Sequence, residues 1–367
     1  MRGCVDGSAF DYGSKSWTGL EELISQQINK NARDKARYKT VLSSNHPIQV
    51  LENVVGHILE AEINVSEEEG FYSVELRRTI KRSEREVEGS FALFQHGDSP
   101  IWTAVTGYTP DFFERGLCWV FNRAEPDISD FFANSNELRQ ILQQVEEELS
   151  AEILVSKAVV YSRSEEGTIS FRTRPYKAVF SDEQLEDGYV DKLNFSVRRQ
   201  EDEFFSGFIS REGVTKIESG DPTMFRRYLL GAFVETVADK IDVLSHRDRS
   251  ASDEISEIEL EFQSEVLSSP SDNKELIEAL SNLKKSTMTV YHDNPYAHVS
   301  LVDFVDGSNC DIYVTGSNSV SIVPGYKGSV NFLMRIADQM SKEFQEGVLT
   351  VRDAPDYSLT DFVAKNE

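Results

Sequence analysis

No apolar run in this sequence approaches the roughly 18 residues that a membrane-spanning helix needs, so no membrane contact is expected. The opening residues Met1–Phe10 hold one arginine and no apolar stretch, which removes the expectation of a secretory signal and points to the cytoplasm. Cysteine is scarce. Cys4, Cys118 and Cys310 are far apart and form no Cys-x-x-Cys or Cys/His cluster, so neither a disulfide framework nor a zinc site is indicated. The patterns GxxxxGK[ST], GxGxxG, HExxH, GxSxG, HxKxxxxD and HxExxC are all missing. Nucleotide cradles and the familiar hydrolase and deaminase sites therefore lack support, and no cofactor is expected.

What the chain does have is acid. Sixty-three Asp and Glu against 38 Lys and Arg leave a net charge of -25, spread along the whole length as a solvated surface. Such a surface repels nucleic acid and anionic lipid at long range unless a local basic patch intervenes. The bases are 22 Arg and 16 Lys, a weighting that also fits a halophilic cytoplasm. With 39% hydrophobic and 10% aromatic residues, the 367-residue chain can bury real cores and is expected to divide into two or three domains.

The hydrophobic pattern predicts an α+β fold: a helical N-terminal hairpin followed by two or three mainly antiparallel strand-then-helix modules. Leu20, Leu23, Ile24 and Ile28, then Ile48, Leu51, Val54, Val55 and Ile58 behind Pro47, recur at helical spacing. From Ala61 the period becomes two. The expected segments are a helical 1–60, modules at 61–150 and 151–245, a linker at 246–272, a third module at 273–350 and a tail at 351–367. Closing helices near Leu149, Leu244 and Phe344 space the modules almost evenly, yet no shared motif is visible between them.

Three constellations merit a role. Arg77, Arg78, Lys81, Arg82 and Arg85 make a basic stripe that Arg172, Arg174 and Lys177 extend, with Phe171 and Tyr176 near enough to stack on bases; phosphate contact competes with ion pairing to the interleaved Glu75, Glu84, Glu86 and Glu88. His298, Asp303, Asp306 and Asp311 lie on one predicted meander and offer oxygen and nitrogen ligands for Mg²⁺ or Mn²⁺, although Asp306-Gly307 also reads as a plain hairpin turn. Trp102 and Tyr108, in a β-prone apolar run, line a pocket or interface, or simply pack the core. Cys118 lacks a visible base to make it a nucleophile.

Two readings of function emerge. The first is a non-catalytic cytosolic interaction subunit of a multi-protein system, of defence or DNA-processing type, with a protein partner and a local nucleic-acid contact. The second is a divergent metal-dependent nuclease or hydrolase built on the Asp/His cluster.

Overall fold

Strand β1 (Arg37–Ser43) overturns the N-terminal helical hairpin, because it lies between the two expected helices, α1 (Trp17–Lys30) and α2 (Pro47–Gly56), and pairs at the centre of a large sheet. The computed structural model describes residues 16–30, 35–163, 168–170, 173–181, 188–245, 257–325 and 327–352. Six of the seven β1 residues are buried, Lys39 among them. A lysine at 4% exposure in a central strand disguises that strand as a polar connection. Its ammonium is held by the Asp130 carboxylate at 2.9 Å and the Glu212 carbonyl at 2.9 Å, which offsets the loss of water.

The chain forms two compact units, Met1–Ala238 and Asp239–Glu367, with the division falling inside a helix. In the first, α2 leads into β2 (Ala61–Glu68), β3 (Phe71–Ile80), β4 (Arg85–Gln95) and β5 (Ile101–Thr106). Then come α3 (Pro110–Phe112), a π-helical stretch (Phe113–Cys118) and α4 (Trp119–Arg123). After the short β6 (Ile128–Ser129), α5 (Ser135–Leu149) opens a second set: β7 (Glu152–Ser162), β8 (Thr168–Ser170), β9 (Arg174–Pro175), α6 (Tyr176–Phe180), β10 (Gly188–Arg199), β11 (Asp202–Ser210) and β12 (Val214–Gly220). It closes with α7 (Pro222–Met224), another π-helical stretch (Phe225–Leu230) and α8 (Gly231–Ser245). The second unit holds β13 (Glu257–Phe262), α9 (Pro270–Ser281), β14 (Ser286–His292), β15 (His298–Asp303), β16 (Asn309–Val314), β17 (Ser319–Pro324), α10 (Val330–Glu343) and β18 (Gly347–Arg352).

All pairings in both sheets are antiparallel. The first sheet has twelve strands in the order β2-β3-β4-β5-β1-β12-β11-β10-β7-β8, with β6 on β1 and β9 on β7; the second runs β14-β15-β16-β17-β13-β18. The expected strand-then-helix modules are thereby corrected. The helix ending at Leu149 opens the second set rather than closing the first, and the first two sets share one sheet across β1. The protein is sheet-dominated. The recurring element is a helix, four antiparallel strands and a helix, seen at 47–123, 135–245 and 270–343, with β8, β9 and α6 inserted after the first strand of the second set. The expected linker contains β13, while residues 246–256 and 353–367 lie outside the described residues.

The closing helices start alike. Thr109, Asp221 and Ser329 each accept a hydrogen bond from the backbone N–H three residues on, at Phe112, Met224 and Phe332. An arginine follows six residues after each cap (Arg115, Arg227, Arg335), and Phe113, Phe225 and Leu333 are buried one residue beyond the capped amide. No helix among the described residues is long and apolar enough to cross a membrane.

One buried polar chain ties β1 to β5. Thr40 and Thr103 share a hydroxyl hydrogen bond of 2.9 Å, and His96 Nε2 meets the Thr103 hydroxyl at 2.8 Å. Burial, with the positive charge of Arg226, pushes the His96 imidazole from 6.5 down to about 4. Below the unfolded value the unfolded chain binds a proton that the folded chain refuses, so stability is full above pH 6.5 and falls as pH drops towards 4. From that shift, the loss reaches about 2 kcal/mol by about pH 5. In thermal melts between pH 7 and 5, wild type is expected to lose more melting temperature than His96→Gln; equal slopes would disprove the assignment.

Candidate functional site

Strand β14 is the outer edge of the six-stranded sheet, and its seven residues, Ser-Thr-Met-Thr-Val-Tyr-His, include no Asp, Glu, Lys, Arg or Pro. In a chain with 28% charged residues, such a strand is unusual at an edge, where charges and proline normally block pairing with other chains. None of its residues is buried. Its neighbour β15 pairs Val290 with Val299 and His292 with His298, and a bulge between them re-aims Tyr291.

That bulge starts a row of rings. Tyr291 packs on His298 with centroids 4.7 Å apart, and His298 stacks on Tyr313 of β16 at 4.2 Å. His292 and Tyr296 form a flanking pair at 5.5 Å. Strand alternation puts His298, Ser300, Asp311, Tyr313, Ser321 and Glu259 on one face, through the registers His298↔Tyr313, Tyr313↔Ser321 and Glu259↔Ser321. The other face carries buried Val299, Leu301, Ile312, Ile322 and Leu260, which form the unit's core with Leu276, Leu280, Phe332, Ile336 and Met340 of α9 and α10.

Apolar exposure is concentrated along the β14–β15 hairpin, with Val290, Tyr291 and Tyr296 at the end that holds the ring row and Val302 and Phe304 at the other end, beside Lys285. Of the eight large hydrophobic residues exposed among the described residues, Val290, Tyr291, Tyr296, Val302 and Phe304 lie between 290 and 304, Phe304 at 68%. The field at the ring row is negative: burial together with the charges of Asp311 and Glu257 holds the Tyr313 phenol above its usual range.

The expected metal residues are divided. Asp303 turns to the buried face, 1% exposed, and its Oδ1 accepts a hydrogen bond from Arg335 Nη1 at 2.7 Å. Asp311 sits on the opposite face, where its Oδ1 is 3.9 Å from His298 Nε2, too long for a hydrogen bond. Asp306 belongs to the β15–β16 turn; partial burial opposes its charge, but hydrogen bonds from Ser308 and Ser329 hold its carboxyl below the usual range. Among the described residues no three His, Cys, Asp or Glu side chains converge as a metal site.

The basic residues stand beside acids. Arg77 meets Glu88 at 2.9 Å, Lys81 pairs with Glu60, Arg85 meets Asp111 at 3.0 Å and Lys177 meets Glu146 at 2.6 Å. Arg78 points to the other face, its guanidinium 3.8 Å above the Trp119 ring and donating to the Arg115 carbonyl. Arg82 is exposed at the hairpin turn, Arg174 lies in β9 and Arg172 is outside the described residues. Trp102 is 5% exposed, packed against His46 and Tyr72 in the core. Tyr108 lies over Phe112 at 5.3 Å and borders a shallow cleft with Glu62, Glu75, Arg77 and Glu88. Burial pushes the Cys118 thiol up to about 12, which leaves it protonated and unreactive.

Sequence reasoning passed over Val290, Tyr291, Phe304 and Tyr313. The signal was the uncharged run 286–291, visible only when charge is counted strand by strand. No protein-family model matches this chain, and no curated protein is similar to it.

Proposed function

We propose that this chain is a non-catalytic interaction protein that holds a protein partner on the exposed β14–β15–β16 corner of its second unit. The observation that carries this reading is the exposure of Val290, Tyr291 and Tyr296 at the end of the β14–β15 hairpin that holds the Tyr291–His298–Tyr313 row. Contiguous apolar exposure of this kind marks interfaces, and tyrosine supplies contact area at low entropic cost. The nucleic-acid contact is the weaker element, because Arg77, Lys81, Arg85 and Lys177 each lie against a carboxylate that competes with phosphate.

A photo-crosslinking residue placed at Tyr291 or at Tyr296, in the cells that make the protein, is expected to capture a discrete partner protein. The same residue at Arg82 is expected to capture none. Adducts at no position, or equally at all three, would sink the proposal. In parallel, retention on single- and double-stranded nucleic acid is expected to be weak at 50 mM salt and unchanged by Arg77→Glu/Lys81→Glu, whereas phosphate contacts would make binding fall steeply with salt, with a slope of about -0.9 per contact on duplex DNA.

A further inference from the structure

The three helix–four strands–helix sets place β2, β7 and β14 in the same position, as the outermost strand of each group of four. The protein treats these three edges differently. On β2, Glu62, Glu67 and Glu68 charge the edge and discourage pairing. On β7 the edge is already occupied, since β8 adds to it antiparallel through Tyr161↔Thr168, Val160↔Ile169 and Val159↔Ser170, and β9 adds further along through Leu154↔Pro175 and Val155↔Arg174. On β14, no strand among the described residues takes the outer side.

β14 nevertheless has the features of β7 at the paired stretch. Val159-Val160-Tyr161-Ser162 of β7 corresponds to Thr289-Val290-Tyr291-His292 of β14. In both, the tyrosine is exposed and packs on a ring of the next strand, Tyr161 on Tyr189 at 5.6 Å and Tyr291 on His298 at 4.7 Å. The set that carries β8 shows that this strand accepts an antiparallel addition without loss of the fold.

We infer that β14 is a docking edge that takes an extended, basic segment of a partner protein as an added antiparallel strand across Thr289–His292, in the way β7 takes β8. Backbone hydrogen bonds supply the affinity in this mode, and pockets for alternate side chains supply the choice of sequence. The basic character follows from charge. Exposed Asp293 directly follows β14, Asp311 lies on the face of the ring row beside His298, and a lysine or arginine from the added strand can lie over Tyr291. A second copy of this chain would bring another -25 to the contact and be repelled. This inference rests on the interaction reading for its location but commits to a mode of binding that the reading does not require.

The test uses the full chain and two fluorescent synthetic peptides with one alternating Thr/Val/Ile core, flanked by lysines in the first and glutamates in the second. The lysine peptide is expected to bind at least about tenfold more tightly than its twin, to slow hydrogen exchange of the β14 amides, and to lose about tenfold in affinity with Val290→Lys, which charges the edge at an exposed position. Thermal melts of Val290→Lys within a degree or two of wild type would show that the fold is intact. Binding without protection of β14 amides, but abolished by Tyr291→Ser, would overturn strand addition while leaving the interaction reading in place. No binding by either peptide, with the Tyr291 cross-link retained, would do the same. Loss of both would overturn both.

Discussion

Replacing Asp303 by alanine is expected to lower the stability of the second unit by about 3–5 kcal/mol, the usual cost of removing one partner of a buried ion pair. The carboxylate side chain is fully buried, and Arg335, its partner from α10, is 23% exposed. Arg335 spans two elements, since it also donates to the Lys284 carbonyl just before β14. Asp303 is likewise tied through its backbone, accepting from Gly307 N at 3.1 Å and donating to the Ser308 carbonyl at 2.8 Å. Losing the carboxylate leaves a guanidinium largely out of water, and losing the arginine leaves a buried carboxylate alone, so Arg335→Ala is expected to cost a similar amount. The pair Asp303→Ala/Arg335→Met should be less damaging than the two single losses summed, because no unpaired charge stays behind. Urea unfolding of all three variants checks this. Single variants within about 0.5 kcal/mol of wild type would contradict the structural role and return Asp303 to the candidates for ligand binding.

Gly220→Ala is expected to cost about 3–5 kcal/mol, from forced backbone strain and overpacking together. Gly220 ends β12 at φ +92°, and a Cβ there would sit 2.2 Å from the Phe204 carbonyl oxygen and 2.4 Å from the Phe205 Cα. The obstacles are backbone atoms of the neighbouring strand, which cannot rotate away. The position also sets up the helix that follows, because Asp221 N donates to the same Phe204 carbonyl at 2.9 Å while its side chain caps α7. Gly97→Ala provides the comparison. It too has positive φ, +58°, but nothing lies within 4 Å of the added carbon. Its expected cost is only the left-handed conformation, about 1–2 kcal/mol. Melting temperatures should rank wild type, Gly97→Ala and Gly220→Ala in that order, and a Gly220→Ala protein as stable as Gly97→Ala would refute the clash.

Local signals in the sequence were sufficient where local physics decides. Thr109 and Asp221 each stand directly before a proline, a pairing that starts helices, and their side chains cap the backbone there. Asp306-Gly307 marked a hairpin turn, and Gly307 has φ +76° there. The meander expected to carry His298, Asp303, Asp306 and Asp311 is present as β15, its turn and β16. Asp303 has the parity of buried Val299 and Leu301, while Asp311 falls between buried Cys310 and Ile312, so alternation by itself separates the two carboxylates that the metal reading grouped.

Charge left two segments ambiguous. Lys39 breaks the apolar pattern of β1, and the approach of Asp130 and the Glu212 carbonyl, both distant along the chain, makes a buried lysine tolerable. Arg77 to Arg85 looked like a positive stripe, and the cross-strand register Arg77↔Glu88 places an acid opposite it.

The sequence by itself determined that this is an acidic chain with real cores, few thiols and no familiar catalytic signature, together with the start of several helices and the turns of the last meander. Those properties depend on composition and on neighbours a few residues apart. Tertiary structure alone decided that β1 joins two sets of strands into one sheet, that Arg335 meets Asp303 on the buried face, and that the uncharged β14 stands at an edge. Each of these depends on which distant segments pair, and hydrogen bonding between strands carries no trace in the local sequence of either one.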